Sequence, residues 1–150
     1  MIEYLLGLLY YEILLVFGIY VSAAFSGIIF HRKNIIVLFG FNCVISLIQF
    51  IVFSYYGIPV SEQLYPIIGH LPIILFLIFY YKKEILTSVI SVAGAYLCCQ
   101  LGKWISVILM VFISNKCAFY VMNVIVLIII AYLIVQYVAK AVNAILSQSR

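Results

Sequence analysis

The sequence predicts an all-α fold, a polytopic bundle of transmembrane helices forming one membrane-embedded domain over residues 1–150. Three observations predict it. Hydrophobic residues make up 69% of the chain, with a mean hydropathy of +1.34. Only 8% of residues are charged, against roughly 25% in a soluble domain, too few for a water-facing shell. The apolar residues also fall in long runs between short polar clusters, and about 20 helical residues cross a bilayer core.

The elements follow from those runs. Tyr4 to Phe30 is long enough to span and ends at His31-Arg32-Lys33. No Lys or Arg precedes it, so it reads as a retained helix and not a secretory leader. Ile35 to Tyr56 is the second crossing, followed by the polar stretch GIPVSEQ. Leu64 to Tyr81 is the third and stops at Lys82-Lys83-Glu84. Ile85 to Ile113 is the fourth, about 43 Å long as one helix, which either tilts or breaks near Gly102. Ala118 to Ala139 is the fifth.

Lys and Arg are enriched in cytoplasmic loops. With the N-terminus outside and the C-terminus inside, Arg32, Lys33, Lys82, Lys83, Lys140 and Arg150 fall inside, and only Lys103 and Lys116 outside. Tyr55, Tyr56 and Trp104 then mark the outer interface, and Tyr80, Tyr81 and Tyr137 the inner one. The expected location is the plasma membrane, as a multi-pass protein.

Small residues at four-residue spacing let helix backbones approach. Gly18, Ser22 and Ser26 supply such a face on the first span; Thr87, Ser88, Ser91, Gly94 and Ala95 supply one on the fourth.

Polar residues inside spans are expensive and face a cavity or a partner. At 1.5 Å per residue, Glu12 lies about 12 Å below the outer end of its span, Gln49 about 10 Å, His70 about 9 Å and Asn123 about 8 Å. Gln100 and Lys103 sit near the outer end of the fourth span, and only Asn42 lies toward the inner side. Glu12 and His70 share a depth that lets them pair. Three readings of this outer cluster stand together: interhelical hydrogen bonding, an outer ligand pocket, or a proton or transport path. Within LYPIIGHLP, Pro72 cannot donate to Ile68 and kinks the helix, whereas Pro66 suits a first helical turn. The candidate ligand-binding or signalling residues are therefore Glu12, Gln49, His70, Pro72, Gln100, Lys103 and Asn123.

Enzymatic chemistry finds no foothold. The chain has no aspartate, no HExxH, no GxSxG and no phosphate-binding glycine pattern. Cys43, Cys98, Cys99 and Cys117 lack metal-site spacing and read as packing residues. No catalytic residue, metal site, cofactor or nucleic-acid patch is expected.

LYPIIGHLPIILFLIFYYKK followed by AYLCCQLGKW resembles the N-terminal membrane region of GHKL-type sensor histidine kinases of Firmicutes. Tyr65, Pro66, His70, Leu71, Pro72, Lys82, Lys83, Ala95, Tyr96, Leu97, Cys98, Cys99, Gln100 and Trp104 carry the likeness. The resemblance implies a sensor domain of a two-component system, with an extracellular peptide or small-molecule ligand and a possible homodimer. It also implies a downstream kinase module using ATP and Mg, whose phosphoacceptor His and ATP-lid motifs this chain lacks. The expectation is a truncated or stand-alone sensor that cannot phosphorylate. Val138, Val142, Ile145 and Leu146 have the spacing of a signalling helix. The alternatives are a small transporter or channel component, or a structural partner of a membrane complex.

Overall fold

The computed structural model describes residues 2–111, 116–138, 140, 141, 144 and 145, and every regular element among them is helical. Helix α1 spans Ile2–Phe25, α2 Arg32–Tyr65, α3 Leu71–Phe79, α4 Ile85–Met110 and α5 Lys116–Leu133. Two π-helical turns interrupt the α pattern, Pro66–His70 before α3 and Ile134–Val138 after α5. Arg32–Gly57, Ile85–Ile108 and Val121–Val138 are each long and apolar enough to cross a membrane; Leu9–Phe25 and Gln63–Phe79 are shorter apolar helices. The chain is a helical membrane protein.

Helix α1 is the hub, packing on α2, α3, α4 and α5. A helix apolar on every side has no solvent face to prefer and goes to the centre. Leu15, Phe17, Ile19, Val21, Ala23, Ala24 and Phe25 are all buried, and so are Ser22 and Ser26. The helix ends earlier than the sequence suggests, at Phe25 and not Phe30. Gly27 adopts φ 71°, while Ile28 N–H bonds Ala23 O at 3.0 Å and Gly27 N–H bonds Ala24 O at 3.1 Å. That pairing satisfies carbonyls which a helix end otherwise leaves open.

Helix α4 is unbroken through Gly102, so the alternative of a break near that residue is not realised. Its amphipathicity is inverted relative to a water-soluble helix. Thr87, Ser88, Ser91, Ala95, Gly102 and Ser106 point inward, while Leu86, Leu97, Leu101, Trp104 and Ile108 point out. Interiors of membrane bundles gain from close packing of small residues, because lipid already accommodates the large apolar ones. A Cβ on Gly94 would lie 2.9 Å from the Phe25 ring, and one on Gly102 would lie 3.0 Å from Leu127. The serines add no polar cost where they bond their own helix: Ser26 Oγ donates to Ser22 O, Ser88 Oγ to Glu84 O and Ser106 Oγ to Gly102 O.

The stretch GIPVSEQ is not an open loop. Helical structure runs on to Tyr65 with one interruption, Gly57, at φ 77° and ψ 179°, a region essentially reserved for glycine. The chain kinks there and turns back into the bundle.

The end carrying His31, Arg32, Lys33, Lys82 and Lys83 is filled by aromatic rings. Phe41 stacks on Phe76 at 4.1 Å, and Phe76 also meets Tyr80 and Tyr81. Lys82 turns the chain between α3 and α4 with φ 54°. Below this plug Leu15, Ile19, Leu38, Ile45, Ile73, Leu77 and Val92 form a continuous core.

Candidate functional site: a cavity in the opposite half

The other end is open. A cavity of about 600 Å³ lies between α1, the Pro66–His70 turn with the start of α3, and α4, within the roughly 300–1,000 Å³ of small-molecule sites. Helices α1 and α4 run antiparallel, so the lining rises in layers. Phe25 of α1 meets Gly94 of α4. By their order along the two helices, Ser22 and Val92 therefore lie toward the floor; Gly18, Ala95 and Tyr96 come next, then Leu14, Cys99 and Gln100, and Tyr10, Tyr11 and Lys103 lie toward the rim. From Val92 to Lys103 is about 16 Å at 1.5 Å per residue.

The third wall depends on the π turn. Two prolines bracket it, Pro66 at its start and Pro72 in the first turn of α3. Pro72 has no N–H to continue the i→i−4 ladder. The ladder widens instead, and Leu71 N–H bonds Pro66 O, five residues back. Residues five apart point about 140° away from each other in an α-helix, but one above the other in an i→i+5 turn. Tyr65 and His70 consequently share a side, with ring centres 5.4 Å apart and planes at 89°. On its other side His70 meets Tyr96 of α4 edge-on at 5.2 Å. All three rings line the cavity.

Two lining atoms lack partners. His70 Nε2 and Ser22 Oγ are buried without a hydrogen bond, and an unsatisfied buried polar group costs about 1–3 kcal/mol. Among the described residues Lys103 is the one lysine, arginine or carboxylate in the lining.

Of the sequence-predicted residues, His70, Gln100 and Lys103 come together here. The others do not. Glu12 does not pair with His70: it accepts a 2.5 Å hydrogen bond from Ser46 Oγ on α2. The two residues share a depth but α1 turns the carboxylate toward a different neighbour. Gln49 has a buried, unpartnered Oε1 and is not part of the cavity lining. Pro72 acts through the backbone of the turn. Asn123 is fully buried and donates from Nδ2 to Phe119 O of its own helix at 3.0 Å. The sequence does not single out Tyr10, Tyr11, Tyr65 and Tyr96, because in a membrane sequence a tyrosine reads first as an interface anchor. Their signal was present in Tyr65, five residues before His70 across a proline.

Among the described residues no group of three or more His, Cys, Asp or Glu side chains is placed to hold a metal ion. Cys43, Cys98 and Cys99 are free. The arrangement can bind, using ring faces and edges, an imidazole, an amide and one ammonium. Of the proposed signalling positions, Val138 and Ile145 are exposed, while Val142 and Leu146 lie outside the described residues. Comparison with protein-family models, with curated proteins and with solved structures finds no match for this chain.

Proposed function

We propose that the chain is the membrane receptor part of a GHKL-type sensor kinase of a two-component system, binding an extracellular ligand in the open half of the bundle. The observation that carries the proposal is the cavity itself, with His70 Nε2 and Ser22 Oγ left unpartnered in its lining. The segments LYPIIGHLP and AYLCCQLGKW, which bear the resemblance to that family, form two of its three walls. In this reading all five apolar helical segments cross the plasma membrane. The lysine- and arginine-rich end is cytoplasmic and the cavity end faces outward. The chain itself does no chemistry, and ATP and Mg belong to a kinase module beyond it.

Signal transfer would run through α1. Its Ser22 contributes to the cavity floor, while Phe17, Val21, Ala24 and Phe25 pack with Ala95, Leu127 and Ile134. Ile134 opens the second π turn, on the element leading to the C-terminus. A ligand shifts this bundle only if it binds two packings with different affinity. A transporter would need a polar path past Leu15, Ile19, Ile73 and Leu77, which favours the receptor.

The test is autophosphorylation of a chimera joining residues 1–150 to a GHKL kinase module, in membranes exposed to concentrated culture medium of the source cells. The receptor reading predicts a change in phosphorylation that Gly18→Phe and His70→Ala abolish without loss of expression. A response that survives both substitutions would overturn it.

A further inference from the structure

The lining of the cavity also specifies what kind of molecule fits. We infer that its ligand is an anionic amphiphile, an apolar body carrying one carboxylate or phosphate head, held with the head at Lys103 and the body directed toward Ser22. This deepens the receptor reading and rests on it.

Charge decides the head. Lys103 stands at the rim on α4, and among the described residues no carboxylate is in the lining. Glu12 accepts from Ser46 and lies outside it, though near enough to Tyr65 to act on it through its charge. Of the other lysines and arginines whose side chains are described, Arg32, Lys33, Lys82, Lys83 and Lys140, none is in this lining; Arg32 and Lys33 open α2, and Lys82 and Lys83 join α3 to α4 at the closed end. An ammonium favours an anion, most strongly where low-dielectric walls flank it. Gln100 lies one turn inward on the same wall and adds amide hydrogen-bond donors.

Shape and polarity decide the body. Below Lys103 the walls are Tyr96, Tyr65, Leu14 and Ile73, surfaces that bind apolar groups and aromatic rings. Gly18 leaves the middle unobstructed: a Cβ there would meet nothing within 4 Å.

Gly18→Cys, in a background with Cys43, Cys98, Cys99 and Cys117 replaced by Ala, places a thiol in this space; Leu14→Cys is the second position should the first fail to fold. The full chain is reconstituted in phosphatidylcholine nanodiscs, and the rate of N-ethylmaleimide labelling is measured with N-octanoyl-phenylalanine or its amide added. The acid should protect about tenfold more effectively than the amide, the size expected for one charge-assisted hydrogen bond. Lys103→Gln should erase that difference. Protection gained from phosphatidylglycerol in the nanodisc, and likewise lost in Lys103→Gln, supports the same chemistry with a bilayer lipid as its source. Equal protection by acid and amide overturns the anionic head while leaving a binding cavity. No protection by the acid, the amide or phosphatidylglycerol overturns the inference, and the chimera's phosphorylation then decides separately whether the receptor reading falls with it.

Discussion

His70 meets Tyr65 edge-on at 5.4 Å although both belong to one continuous helical segment and stand five residues apart. An unbroken α-helix would point them about 140° apart. The contact exists because Pro66 and Pro72 bracket a π turn, and the same turn brings both rings to the cavity wall facing Tyr96. The two prolines and the histidine of LYPIIGHLP thus have one joint explanation. Their free-energy cost in a membrane helix is accepted at a place where the backbone lines a cavity.

Pro72 gives the sharpest separation of stability from function. Restoring its N–H with Pro72→Ala lets the α ladder resume, and a proline inside a helix costs about 3 kcal/mol. The variant should unfold in detergent at a temperature equal to or above that of the parent. It should nonetheless lose ligand response, because the return to α geometry swings His70 away from Tyr65. A variant that keeps full response would detach the π turn from function.

His70 itself is predicted to act by its nitrogen more than by its bulk. His70→Phe preserves both edge contacts and should change stability by less than about 1 kcal/mol, whereas His70→Ala loses two ring contacts worth about 0.5–1.5 kcal/mol each. Both should abolish binding. Denaturation curves paired with the chimera assay distinguish these outcomes.

Added bulk should be rejected at the α1–α4 seam and accepted on the open face of α2. Gly94 faces the buried Phe25 ring, and inserting side-chain carbons into a packed core costs about 1–3 kcal/mol. Gly94→Leu should therefore destabilise by at least that much. Gly40→Leu, where a Cβ meets nothing within 4 Å, should be neutral or gain up to about 1 kcal/mol of helix propensity. Comparing the two by thermal unfolding in one detergent checks the packing directly.

Gly57 should resist replacement for a backbone reason. At φ 77° and ψ 179° a side chain costs about 1–3 kcal/mol, so Gly57→Ala is expected to straighten the kink or destabilise the fold. A cysteine pair bridging α2 and α3, cross-linked with and without the substitution, would register the change.

Much of this was legible in the sequence, and the gaps have physical causes. Long apolar runs fixed the helices, and serine and glycine spacing located the α1–α4 seam, because both signals are periodic along one chain. Helix ends are less legible: α1 stops at Phe25, where Gly27 takes a positive φ by a local backbone choice, and residues 58–65 stay helical although their polarity suggests a loop. The site was half legible. His70, Gln100 and Lys103 stood out as polar atoms at one depth, but depth does not give rotation about the helix axis. A depth shared with His70 therefore does not give Glu12 its neighbour, which is Ser46. The tyrosines were hidden by their ordinary use as interface anchors, and Tyr65 faces inward only through a π turn that no periodicity announces.

The receptor proposal requires the cavity to open on the extracellular side. Gly18→Cys and Lys82→Cys, each in the cysteine-free background, would be exposed in intact cells to a membrane-impermeant maleimide. The account predicts labelling of the first variant in intact cells and of the second only after permeabilisation. Labelling of the second in intact cells, with the first protected, would place the cavity on the cytoplasmic side and contradict it.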